Sequence, residues 1–158
     1  HGMDQEPRLA YFPDSFGHSP ALPSLLRGAG FDRTIVGRID GGYFVGADWE
    51  SPRRFPRPGS GAETLVRAGS ADFIWRDGNG AEVLAHWHPF TYGQGDMLAA
   101  VGPLRYMSLP IALPDRSERR VAARIERYAA ALEPLARTPY LLCPIGLDFV
   151  NPIRGLLD

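Results

Sequence analysis

Two aspartates stand where short apolar runs give way to Pro or Gly: Asp14 in Leu9-Ala10-Tyr11-Phe12-Pro13-Asp14, and Asp148 in Tyr140-Leu141-Leu142-Cys143-Pro144-Ile145-Gly146-Leu147-Asp148. If both runs are strands of one parallel sheet, their carboxyl ends share a rim, and residues far apart in sequence can meet there. Two carboxyl groups held about 5–5.5 Å apart on such a rim suit displacement at an anomeric carbon, one attacking and the other protonating the leaving oxygen. The residue types also allow a plainer arrangement, in which Asp14 caps a turn and Asp148 bonds its own loop. Arg38, at the end of a second apolar run, is placed to orient Asp14 and keep it ionised. His18 lies in a turn, where it suits a supporting hydrogen bond. Phe16 offers an apolar wall or a core contact. In His86-Trp87-His88, residues two apart share one face of a strand. They could hold a metal, or help the aromatics around Tyr92 line a pocket.

These side chains depend on the elements around them. Leu9 to Phe12 reads as a strand stopped by Pro13, with Gly17 allowing a tight turn and Ser19-Pro20 opening a helix from Pro20 to Arg27. Gly28 and Gly30 close that helix, and 33–39 reads as a buried strand, giving a β-α-β unit. The stretch from Gly41 to Gly61, rich in Gly, Pro and Arg, reads as a long surface loop suited to a lid. Asp77-Gly78-Asn79-Gly80 is a hairpin turn between Phe73-Ile74-Trp75 and Val83 to Trp87. A capping box at Ser117, then Val121, Ile125, Tyr128, Leu132 and Leu135 at spacings of three and four, gives an amphipathic helix. Its Arg119, Arg120, Arg124 and Glu126 read as a solvated face. Tyr140 to Cys143 reads as a buried strand.

Composition narrows the function. The chain has 158 residues and 44% hydrophobic content, enough for one domain with its own core. A formal charge of -1 gives no field for nucleic acid. All 17 basic residues are arginine, which excludes Schiff-base, phosphate-loop and pyridoxal-anchoring lysines. Cys143 is the single cysteine, so internal disulfides and multi-cysteine zinc sites are excluded; its apolar neighbours suggest a buried, inert thiol. No apolar segment of about 20 residues spans a membrane, and no signal-peptide pattern opens the chain, so a cytoplasmic protein is expected. The start at His1-Gly2-Met3 and the stop at Leu156-Leu157-Asp158 suggest a fragment.

The segment Asp14-x-Phe16-Gly17-His18-Ser19, followed by Pro23, Leu25-Leu26, Gly30-Phe31 and Arg38, resembles the nucleophile region of glycoside hydrolase family 38, the α-mannosidases. Pro144 to Phe149 is similar to that family's Gly-x-Asp loop, and the Phe73-to-Tyr92 region looks like its hairpin before a substrate-facing tyrosine. The resemblance covers most of the chain but only a central slice of the family's N-terminal catalytic domain. It implies an α/β fold with a mostly parallel sheet, flanking helices and one hairpin, part of a (β/α)7-barrel-like domain. It also implies a retaining, zinc-dependent α-mannosidase in which Asp14 is nucleophile and zinc ligand and Asp148 is the acid/base. Phe16, Arg38 and Tyr92 become substrate-binding residues, and the partner a mannose-containing oligosaccharide or glycoside; a homo-oligomeric complete enzyme is compatible with this. The family's upstream His-x-Asp zinc pair has no counterpart here. Two other readings follow from the same residues: a carbohydrate-binding or structural remnant without catalysis, and a metal-dependent deacetylase-like hydrolase using Asp14, His86 and His88.

Overall fold

The computed structural model describes residues 7–39, 56, 58–90, 92–101 and 113–146. Four strands form an open sheet in the order β1-β2-β4-β3: β1 (Leu9–Phe12), β2 (Arg33–Val36), β3 (Asp72–Arg76) and β4 (Glu82–Trp87). β1, β2 and β4 are parallel, with Tyr11 opposite Ile35 and Ile35 opposite His86. β3 joins β4 antiparallel, pairing Trp75 with Val83 across the anticipated turn. The fold is therefore mixed α/β, with the β-α-β unit and the hairpin where the sequence put them.

Helix α1 (Leu22–Gly28) links β1 to β2, and α2 (Gly61–Ala68) lies between β2 and β3. Both cover one sheet face. Leu22 and Leu26 pack with Ala10, Phe12, Val83 and Trp75, while Ala62 and Leu65 pack with Trp87 and Phe73. Alternation along each strand sends the intervening residues to the opposite face. There Leu9, Tyr11, Ile74 and Leu84 remain about half exposed. After the sheet come α3 (Gln94–Ala99), the short strand pair β5 (Ala100–Val101) and β6 (Leu113–Pro114), α4 (Glu118–Leu132) and a 3-10 turn at Glu133–Leu135. Among the described residues no helix is long and apolar enough to cross a membrane.

Several local expectations shift. α1 starts two residues later than Pro20, because Ser19 instead closes a turn: its carbonyl accepts from the Leu22 amide at 3.0 Å. No side chain at Ala21 caps the helix. The cap comes from the hairpin turn, where Asp77 Oδ2 accepts from the Ser24 amide at 2.9 Å while Oδ1 accepts from Asn79 and Ala81. β2 ends at Val36 rather than at residue 39, since Gly37 and Ile39 close a three-residue turn with Arg38 at its centre. α2, unanticipated, carries a signal that was legible: Ser60 Oγ caps the Glu63 amide, and Glu63 returns a bond to the Gly59 amide. Most of the 41–61 loop lies outside the described residues.

α4 stops at Leu132, and Pro134, which lacks an N–H, sits in the following 3-10 turn. Ser117 does not cap it through its side chain; Asp115 accepts from the Ser117 amide instead. The arginine face is correspondingly not merely solvated. Arg120 and Arg124 both grip Asp115, whose side chain is 1% exposed, and Arg124 also donates to the Leu98 carbonyl. These bonds hold the Asp115 carboxyl far below the ordinary carboxylate range, the Arg120 bond contributing most. Residues 140–143 are not a strand, and one carbonyl that a ladder would use is taken by a side chain: Tyr128 Oη donates to the Leu142 carbonyl at 2.5 Å. Cys143 is exposed, contrary to the buried thiol expected from its neighbours.

Candidate active site

The parallel strands bring three chain exits to one rim: Pro13-Asp14 after β1, Gly37-Arg38 after β2 and His88 after β4. Hydrogen bonds tie these exits together. The Gly37 amide donates to the Phe12 carbonyl, the His88 amide to the Val36 carbonyl, and Trp87 Nε1 to the Gly37 carbonyl at 3.1 Å. Gly37 is required by proximity. A Cβ there would lie 2.4 Å from the Pro13 carbonyl oxygen and 2.8 Å from His88 Nε2.

This close packing aims Arg38 at Asp14. Arg38 Nε donates to Asp14 Oδ1 at 2.6 Å, and Nη2 reaches the same oxygen. The arginine side chain is 9% exposed and the aspartate 33%, so the cation is largely sequestered while the carboxylate keeps an open side. A charge-assisted bond in such a setting restricts the carboxylate's orientation. The Arg38 guanidinium also lies 5.2 Å from the centroid of the Phe16 ring, a cation–π contact. Phe16 is exposed and is not a core residue. Gly17 takes φ +69°, the left-handed turn its sequence position required. A groove of about 520 Å³ opens beside the pair, lined by His18, Arg38, Ile39, Leu65, Phe73 and Trp75.

His18 sits edge-on to the rings of Phe12 and Trp75, with Nε2 buried and without a hydrogen bond. Its contribution here is packing, not the supporting bond expected of it at that atom. Burial lowers its pKa.

The two histidines of the 86–88 motif have different partners. His86 Nδ1 lies 2.8 Å from Asp72 Oδ1 on the neighbouring strand. His88 is 3% exposed, beside the Tyr11 ring, with neither ring nitrogen bonded. Burial, with the nearby His86 and Arg38 adding smaller effects, lowers its pKa to about 4. Among the described residues no three His, Cys, Asp or Glu side chains are grouped to hold a metal. Tyr92 is buried, and Asp148 lies outside the described residues. Gly37, and the pairing of His86 with Asp72, were missed by sequence reasoning; a glycine immediately before the candidate arginine was the available hint.

An acid held by an arginine at the carboxyl ends of parallel strands, beside an exposed aromatic, lies where open α/β sheets bind their ligands. The chain belongs to the glycosyl hydrolases family 38, whose N-terminal domain matches residues 1–155. It is 28% identical over 169 residues to alpha-mannosidase 2 of Drosophila melanogaster, covering 93% of this chain and 14% of that protein. In fold it is similar to an alpha-mannosidase from Enterococcus faecalis V583, with TM-score 0.55 and 16% identity over 89% of this chain and 12% of that one. The chain thus spans about one-seventh of the length of the curated relative it matches.

Proposed function

We propose that this chain carries the nucleophile and acid/base residues of a retaining α-mannosidase whose catalytic domain extends beyond it. The observation that carries this reading is the Asp14–Arg38 pair on the sheet rim, in a member of glycosyl hydrolases family 38. Asp14, oriented by Arg38, attacks the anomeric carbon of a terminal α-mannoside and forms a glycosyl-enzyme intermediate. Asp148 protonates the departing oxygen and then removes a proton from the attacking water. Phe16 provides an apolar surface for the sugar ring, and Tyr92 is a further contact assigned by family resemblance.

Zinc belongs to this reading as a group of the complete enzyme. Asp14 is the one ligand the resemblance places in this chain. A closed site needs about four ligands, and the described residues do not by themselves supply such a set. The deacetylase-like reading loses support for a related reason: His86 pairs with Asp72, and His88 is sealed against Gly37 and Tyr11.

The test is leaving-group dependence in the complete enzyme. Asp14→Ala abolishes hydrolysis of every aryl α-mannoside. Asp148→Ala spares the first step for an acidic leaving group, which needs little protonation, and azide restores its turnover with retained configuration. Equal losses in both variants without azide rescue would refute the assignment.

A further inference from the structure

The segment that leads into Asp148 is held by two hydrogen bonds from the start of α3 and one from α4. Asp96 Oδ2 accepts from the Gly146 amide at 2.6 Å, a charge-assisted bond from a carboxylate only 2% exposed. One residue earlier, the Gly95 amide donates to the Pro144 carbonyl at 2.7 Å. Gly95 can come this close only because it has no side chain: a Cβ there would lie 2.4 Å from Ile145 Cγ1 and 3.1 Å from the Pro144 carbonyl oxygen. From the other direction, Tyr128 of α4 bonds the Leu142 carbonyl. Gly146 itself takes φ +119°, a conformation that side-chain-bearing residues rarely adopt. The chain is therefore bonded on both sides of Ile145 and turned at a glycine two residues before Asp148.

A buried carboxylate given to a single backbone amide is a costly way to anchor a loop, because burying the charge is unfavourable unless it is well bonded. Such an anchor is warranted where the loop delivers a group whose position matters within about half an ångström. We infer that Asp96 is a positioning residue for the acid/base Asp148, acting through the Gly146 amide, with Gly95 allowing the approach. This rests on the proposed function, specifically on the role of Asp148. Asp96 touches neither sugar nor reacting atoms in this arrangement. What it controls is where the general acid stands relative to the leaving oxygen, and a displaced acid transfers its proton poorly.

The experiment compares Asp96→Asn, Asp96→Ala, Gly95→Ala and Asp148→Ala in the complete enzyme, using 2,4-dinitrophenyl and 4-methoxyphenyl α-mannosides. Asp96→Asn retains an acceptor oxygen and tests the bond with least risk to folding, while Gly95→Ala disturbs the same segment without altering charge. The expected result is a loss of kcat/KM of about 10-fold or more on the methoxyphenyl substrate for Asp96→Ala and Gly95→Ala, with less than about 3-fold loss on the dinitrophenyl substrate. Asp96→Asn falls between these and wild type, and hydrogen exchange at the Gly146 amide quickens in both Asp96 variants. A purely structural role would lower both substrates equally, and that result overturns the inference. So does wild-type behaviour in the Asp96 variants while Asp148→Ala shows the selective loss. An Asp148→Ala enzyme with no dependence on the leaving group would overturn the proposed function itself, and this inference with it.

Discussion

His88 makes the stability of this fold depend on mild acid. Its ring is 3% exposed, wedged beside Gly37 and Tyr11, with no acceptor for a proton-bearing nitrogen. The ordinary histidine pKa of 6.5 falls to about 4 in the folded chain. The unfolded chain therefore binds the proton first as pH drops, so stability is complete above 6.5 and is lost as pH falls toward 4. At about 1.4 kcal/mol per pH unit, the loss between about pH 7.5 and 4.5 is about 2.5 kcal/mol, a large part of a small domain's stability. His18 acts in the same direction, its pKa also being lowered by burial. The Asp115 carboxyl, by contrast, stabilises the fold above its ordinary 3.8 and contributes no slope in this window. The assay is urea unfolding at both pH values for wild type and His88→Gln. The glutamine keeps a polar side chain but cannot take up the proton, so the difference between the two pH dependences isolates His88 and cancels His18. We expect the variant to lose about 2.5 kcal/mol less than wild type on acidification. Parallel losses in the two proteins would refute the argument that burial keeps this ring neutral.

Three other outcomes follow from the same rim. Arg38→Ala leaves the Asp14 carboxylate without its partner and should lower kcat/KM of the complete enzyme on aryl α-mannosides by about 100-fold or more, with Arg38→Lys recovering only part because it cannot reproduce the guanidinium geometry. Gly37→Ala forces a methyl group against the Pro13 carbonyl and the His88 ring; it should cost about 1–3 kcal/mol in urea unfolding, and an unchanged midpoint would show that the strand exits are looser than described. Treating this chain alone with a chelator should leave its melting temperature unchanged, since a ligand that does not bind the native state cannot stabilise it; a marked drop would reveal metal ligands in the chain beyond Asp14.

What the sequence determined by itself was the set of local pieces and the order in which they meet. Alternating or continuous apolar runs marked β1, β2 and the hairpin strands, turn residues marked Gly17 and 77–80, and helical spacing marked α1 and α4, because each pattern acts over a few neighbouring residues. A short strand, a helix and a second strand imply a parallel pair, and that pairing puts Asp14 on a rim within reach of Arg38. What only the tertiary structure decided were the partners that lie far along the chain. Asp77 caps α1 across 53 residues, Arg124 reaches Leu98 across 26, and Asp96 holds Gly146 across 50. The His86-Trp87-His88 pattern predicted a shared face but not the partners on it: Asp72 claims one ring while Gly37 and Tyr11 enclose the other. The 140–143 run looked like a strand but had its Leu142 carbonyl taken by a tyrosine from α4. Periodicity tells a segment which side is apolar, whereas the choice of a hydrogen-bond partner depends on which groups the folded chain brings within about 3 Å, and no local pattern encodes that.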